Sequence, residues 1–333
     1  MEFPIDKPIV GAMKSRTQKN LLVMHQGALG DLVVTFPALL ELKRRYGRID
    51  IICQNKLGKL VSYLNIAEKS FPIDSSWFTT LFTDEIDKRM HHLLQTYHFI
   101  VLFSFSEHLH KTITNFCGQT VYRISPRPKP GIRIHVRDHV RSSMVEHGLL
   151  PRFHSPIEST SILKPSGNPT DAAPDPLKVF IHPGSGSSLK NWLLENFEEV
   201  YEILESEGLK PEFVLGPAEQ SLKKDLLSSK RTVHIVSDLV ELAALLKSGG
   251  GFIGNDSGVA HLASFLGLST VAVFGPSDPV RWCPVGRAVE TVQADLECSP
   301  CFETNRGNCK EAICLNRVSP QKVIKTFRKI YRH

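Results

Sequence analysis

The 333-residue chain reads as an α/β protein built from two parallel sheets. Three observations predict this. Short apolar runs alternate with stretches of helical periodicity, glycine-rich turns follow such runs near the start and in the middle, and one proline-rich stretch separates two series of alternations. Length agrees, because about 150 residues per domain makes two domains the natural division. With 41% hydrophobic and 22% charged residues the chain can build a sizeable core, which excludes a disordered, collagenous or coiled-coil protein.

Leu21 to His25 is the first strand, QGALGD its turn, and Leu32, Val33, Phe36, Leu39 and Leu40 recur at helical spacing behind it. Ile49 to Cys53, Phe99 to Phe103 and Thr120 to Ile124 supply further strands, with helices near Asp84 to Thr96 and Glu107 to Phe116. From His154 to Lys178 five prolines and little periodicity mark an interdomain linker. Strands then resume at Val179–His182, Glu212–Leu215, Val233–Val236, Phe252–Gly254 and Thr270–Phe274. Helices lie between them, at Glu195–Glu207, through Leu226, through Leu246 and at Ser257–Leu266. Ser319 to Tyr331 closes the chain as an amphipathic helix, with Ser319 as cap and Pro320 at its first position.

No run approaches the roughly 18 apolar residues that span a bilayer, and Met1 to Asn20 lacks the apolar core of a secretory signal. That segment is expected to be a loose tail on a cytoplasmic protein. Seven cysteines, an odd number, fit a reducing compartment better than a disulfide framework. Net charge is +6. Between Val121 and Arg152 seven bases (Arg123, Arg127, Lys129, Arg133, Arg137, Arg141, Arg152) stand against two acids (Asp138, Glu146), a pattern that suits an anionic partner or a solvated surface.

Three turns carry chemistry. Gly27-Ala28-Leu29-Gly30-Asp31 joins a strand to a helix but lacks the GxGxxG dinucleotide spacing, and Asp31 is either a helix cap or a group facing the crevice at the strand's carboxyl end. His182 to Trp192 combines small residues, the hydroxyls of Ser185, Ser187 and Ser188, and the charge of Lys190, a donor set that suits a phosphate. Gly254 to His261 joins another strand to a helix whose free amides face the same crevice.

These blocks, GALGDLVVTFPALLELKRRY, HPGSGSSLKNW and GNDSGVAHLASFLGLSTVAVFGPSDPVRW in this order, resemble glycosyltransferase family 9, the ADP-heptose:lipopolysaccharide heptosyltransferases. The resemblance runs from about Leu21 to the end and is weakest over Phe71 to Lys178. It implies a GT-B architecture, two Rossmann-like domains facing each other across a cleft. The implied division is a tail (1–20), an acceptor domain (21–153), a linker (154–177), a nucleotide-sugar domain (178–318) and a C-terminal helix (319–333). The implied reaction moves a heptose from ADP-heptose to the lipopolysaccharide inner core, Kdo-lipid A or a heptosylated core, with inversion. Carried onto this sequence, Asp31 is the catalytic base and Lys190 the donor-phosphate lysine. Ser185, Ser187, Ser188, Glu219, Asp256, Ser257, Gly258 and His261 bind the donor, while Gly27, Gly30, Arg133 and Arg137 face the acceptor. No cofactor, metal or nucleic acid is expected, since lysine and helix amides serve the pyrophosphate. Peripheral contact with the inner membrane is expected from the acceptor.

Two alternatives fit the same shell, a family member using another nucleotide sugar and a nucleotide-sugar epimerase; a non-reacting sensor is a third. Cys298, Cys301, Cys309 and Cys314 form C-x2-C-x7-C-x4-C, which is compatible with structural zinc, with thiols or with a labile disulfide.

Overall fold

The computed structural model describes residues 19–83, 85–152, 173–301, 309 and 313–331. Two parallel sheets form among them. The first contains β1 (Lys19–His25), β2 (Gly47–Cys53), β3 (Lys69–Pro72), β4 (Phe99–Phe103) and β5 (Thr120–Ile124), in the order β3-β2-β1-β4-β5. The second contains β6 (Asp175–His182), β7 (Lys210–Leu215), β8 (Val233–Ile235), β9 (Gly249–Asn255), β10 (Ser269–Phe274) and β11 (Val289–Gln293), in the order β11-β10-β9-β6-β7-β8. This is the expected α/β architecture.

Helices cover both faces of each sheet, so the central strands carry apolar runs; all five residues of β4, Phe-Ile-Val-Leu-Phe, are buried. Strand order reverses between β1 and β4 in one sheet and between β6 and β9 in the other. Ligands of open α/β sheets bind at such switch points, beyond the strands' carboxyl ends. Those ends are His25, His182 and Asn255, the residues that open the three turns singled out above.

Several elements differ from the sequence reading. Strands β3 and β11 were not anticipated: each is a short edge strand in which no residue reads as a buried run, and β3 ends at Pro72, where an edge tolerates the missing amide. The helices Asn55–Tyr63 and Val136–Glu146 are likewise additional. The last three residues expected in the linker, Asp175 to Leu177, already belong to β6; a register shift between Asp175 and Val179 absorbs Pro176. The rest of that linker from 154 to 172, and the tail through residue 18, lie outside the described residues. The helix expected from Asp84 runs over Lys88–Gln95, capped by Asp87, whose Oδ1 accepts from the Arg89 amide; Asp84 itself lies outside the described residues.

At the C-terminus Pro320–Ile330 forms the expected helix, with Ser319 Oγ accepting from the Lys322 amide. It buries Val323, Ile324 and Phe327 in the core of the second sheet. No helix among the described residues is long and apolar enough to cross a membrane.

Candidate active site

Three adjoining cavities lie where the carboxyl ends of the two sheets face each other. The central one, about 330 Å³, is lined from one sheet's side by Ala28, Gly30, Asp31 and Arg127 and from the other by Gly186, Lys190, Asp256, Ser257, Gly258 and His261. A second, about 210 Å³, extends from Asp31 along His25, Gly27, Phe105 and Arg127. A third, about 300 Å³, opens on the other side past Ser185, Glu219, Asp238 and Leu242. Asp31 stands on the wall shared by the first two, and Ser257 and Gly258 on the wall shared by the first and third.

Asp31 is positioned by its own turn. It lies in the helix Leu29–Val33, where Oδ2 accepts from the Ala28 amide at 3.1 Å. Capping and facing the cleft are therefore compatible: one oxygen holds the turn, and Oδ1 has no hydrogen bond among the described residues. Gly27 serves this arrangement by having no side chain, since a Cβ there would lie 2.6 Å from Asp31 Cβ and 2.8 Å from the His25 ring. Its amide donates to His25 Nδ1.

On the second sheet, Asn255 ties the loop that carries Lys190 to the loop that carries Asp256. Its Oδ1 accepts from the Trp192 amide at 3.0 Å and its Nδ2 donates to the Pro183 carbonyl at 2.7 Å. Sequence reasoning passed over Asn255, although its place between the strand and Asp256 in GND was a usable signal. Lys190 Nζ lies 2.6 Å from Asp256 Oδ2, a pair in which the carboxylate is 6% exposed and the lysine 23%. Asp256 thus aims the lysine along the cavity wall. Ser257 Oγ accepts from the Ala260 amide and caps the helix Gly258–Phe265. The two domains touch here: a Cβ on Gly258 would fall 2.9 Å from the Gly30 nitrogen, so both glycines permit close approach as well as lining the cavity.

The other predicted donor residues divide. Ser185 and Glu219 line the third cavity; Glu219 Oε2 accepts from the Gly216 amide, which fixes its turn. Ser185 Oγ bonds within its loop, to Asn191 Oδ1 at 2.6 Å. Ser187 and Ser188 do not line any of the three cavities; the Ser187 and Ser188 carbonyls accept from the Lys190 and Asn191 amides and shape the turn that carries Lys190.

The basic stretch is placed differently from its charge count. Arg133 makes a two-pronged pair with Asp278 of the second domain, Nε to Oδ2 at 2.7 Å and Nη2 to Oδ1 at 3.0 Å. Arg137 pairs with Asp138, Arg123 with Glu107 and Arg141 with Glu41. Neither Arg133 nor Arg137 lines any of these three cavities. Counting charge along the chain missed Asp278 and Glu41, 145 and 100 residues from their arginines. Arg127 is the base that reaches the cleft, its guanidinium 5.5 Å from the Phe105 ring centre.

Arg133 instead joins the domains, together with His135 Nε2–H donating to the Cys283 carbonyl at 2.7 Å and Arg281 donating to the Pro128 carbonyl at 3.0 Å. Burial opposes the charge of Asp278, but the Arg133 guanidinium and the Val280 amide hold its carboxyl below the usual range. Arg133→Ser is therefore expected to destabilise the domain contact by about 1 to 2 kcal/mol, moderated because Arg133 is 60% exposed. Small-angle scattering should show a larger radius of gyration, and unaltered scattering with unaltered melting would remove this role.

Comparison with known proteins bears on the same residues. Residues 157–310 match the model of glycosyltransferase family 9 (heptosyltransferase). That stretch belongs to the family. It contains the Lys190 loop, Glu219 and Asp256 to His261, whereas Asp31 precedes it. The Campylobacter jejuni lipooligosaccharide heptosyltransferase 2 is 28% identical over 167 residues, 45% of this chain and 50% of that protein. The chain thus spans about half the length of the curated relatives it matches. Solved structures share the fold over almost the whole chain. A family 9 glycosyltransferase from Veillonella parvula superposes with a TM-score of 0.72 at 17% identity, covering 94% of this chain and 97% of that one. An Escherichia coli heptosyltransferase with ADP gives 0.70 at 16%, covering 93% and 99%.

Of the three buried histidines at the cleft, His25, His182 and His261, the last two lie in the family segment. Burial lowers His261 to about 4, and its Nδ1 has no hydrogen-bond partner among the described residues. Burial likewise lowers His25, on the β1 side, to about 4. Both rings are neutral in the fold. Their unfolded counterparts titrate near 6.5, so this stabilisation is complete above that pH and is lost as pH falls from about 6.5 toward 4. From pH 7 to pH 5 each ring should cost about 2 kcal/mol. Urea unfolding at the two pH values checks this; His261→Gln should remove its share of the difference, and an unchanged difference would contradict it.

The cysteine pattern lies at the end of the family segment. Cys298 and Cys309 are exposed, Cys301 is intermediate and Cys314 buried. Residues 302–308 and 310–312 between them lie outside the described residues, and among the described residues no group of three or more ligands is arranged to hold a metal.

Proposed function

We propose that the chain is an inverting glycosyltransferase that moves a heptose from ADP-heptose onto the lipopolysaccharide inner core, at the cytoplasmic face of the membrane that carries it. The observation that supports this best is the central cavity itself, where a carboxylate from one domain faces a lysine and a capped helix end from the other. In this reading Asp31 takes the proton from the acceptor hydroxyl as its oxygen attacks the anomeric carbon. The bond to the pyrophosphate breaks on the opposite face, and Lys190 with the amides at Ser257 and Gly258 receives the charge that develops on ADP. The third cavity takes the nucleoside beside Glu219. The second, with Arg127 and Phe105 at its rim, takes the acceptor; an epimerase would have no use for that space.

Because a full positive charge and helix amides serve the leaving group, activity is expected to survive EDTA. Reversible loss on chelation, restored by a divalent cation, would contradict this. The reading as a whole is tested by giving the protein ADP-heptose and truncated core lipids and weighing the products. A lipid heavier by one heptose supports it. Free heptose alone, or an isomerised nucleotide sugar with unchanged lipid, overturns it.

A further inference from the structure

We propose that the loop 127–134, together with Val280, is a docking surface for an anionic lipid bilayer. The proposal rests on the reading that the acceptor is a membrane lipid, and it identifies the surface that brings the enzyme to it. Of the eight large hydrophobic residues exposed among the described residues, four surround this loop: Phe105 (57% exposed), Ile132 (47%), Ile134 (44%) and Val280 (47%). Contacts join them into one region. The Arg127 guanidinium lies over Phe105, Arg133 reaches Asp278, two residues before Val280, and Arg281, next to Val280, bonds the Pro128 carbonyl.

Charge points the same way. Asp278, Asp138 and Glu107 are each paired with an arginine of this stretch. Arg127 and Lys129, both exposed, have no carboxylate partner among the described residues. Exposed aliphatic residues interspersed with cations suit the boundary between headgroups and acyl chains, where isoleucines enter the apolar layer and lysine meets lipid phosphate. A nucleic acid would use the cations but not the isoleucines, and the core of a protein interface is depleted in lysine. The surface is preformed, because Arg133 and His135 anchor the loop to the second domain from behind. Its place completes the case: Arg127 belongs both to this loop and to the two cavities around Asp31. A lipid held in the docked bilayer therefore meets the cleft at its mouth.

The test is co-sedimentation with phosphatidylglycerol vesicles and with phosphatidylcholine vesicles, alongside transfer to a delipidated, water-soluble core acceptor. The parent is expected to bind the anionic vesicles and not the neutral ones. Lys129→Ser should weaken binding about fivefold, and Ile132→Ser with Ile134→Ser by about tenfold or more. Transfer to the soluble acceptor should be unchanged in both variants, which also shows that they fold. Parent protein that ignores phosphatidylglycerol, or variants that bind as the parent does, overturns the proposal. So does a parent that is dimeric in solution and becomes monomeric in the isoleucine variant without any vesicle binding. Vesicle binding without transfer to either acceptor supports the docking surface and overturns the reaction assigned to the cleft, so the two failures are separable.

Discussion

Asp31→Asn is expected to lower the rate of transfer by about 10² to 10⁴-fold while leaving donor affinity within a few-fold of the parent. Asparagine is the informative replacement because its side-chain oxygen can still accept from the Ala28 amide, the bond that holds the turn. The fold is kept and the base is lost. Asp31→Ala removes the cap as well and should cost about 1 kcal/mol of stability in addition. Single-turnover measurements with saturating donor isolate the chemical step. Equal turnover in the asparagine variant would reduce Asp31 to a cap.

Lys190→Ala carries the second largest expected effect. Lys190 is the cation on the donor side of the central cavity, and Asp256, 6% exposed, depends on it for its charge partner. Its removal takes away stabilisation of the departing pyrophosphate, about 10² to 10³-fold in kcat, and leaves a carboxylate that repels the same phosphates. Donor KM should rise together with the fall in kcat. Lys190→Arg should recover part of both, because it keeps the charge but not the geometry set by the Ser187 and Ser188 turn. If kcat and donor KM match the parent in the alanine variant, the lysine is a structural partner of Asp256 and another group must serve the leaving phosphate.

Much of this site was legible before the structure because its signals are local. A strand followed by a glycine turn and a helix places Asp31, Lys190 and Asp256 to His261 at carboxyl ends of strands, where open α/β sheets bind ligands; that the ends of two sheets face one cleft was implied by the family resemblance and not by these local signals. Two of the four edge strands were not legible: Lys69–Pro72 and Val289–Gln293 are short and half exposed, and neither shows a buried run. The roles of charges were the least legible. Arg133 and Arg137 belong to a basic stretch that sequence reasoning assigned to the acceptor, yet Arg133 is spent on Asp278, 145 positions away, and Arg141 on Glu41. Arg127 looks no different from its neighbours along the chain; only the packing of β5 and its following loop beside Asp31 brings it to the cavity. Ser187 and Ser188 show the complementary limit, because hydroxyl composition predicts donors but not which way a tight turn points them.

In the proposed reaction one base from the first domain acts across the cleft on a donor held by the second. The most direct measurement is the anomeric configuration of the heptose in the product, read by NMR and compared with that in the donor. A single displacement in which Asp31 activates the acceptor hydroxyl predicts inversion. Retention would require either a double displacement through a glycosylated group on the enzyme or attack from the face that the pyrophosphate leaves, and either would contradict this reaction.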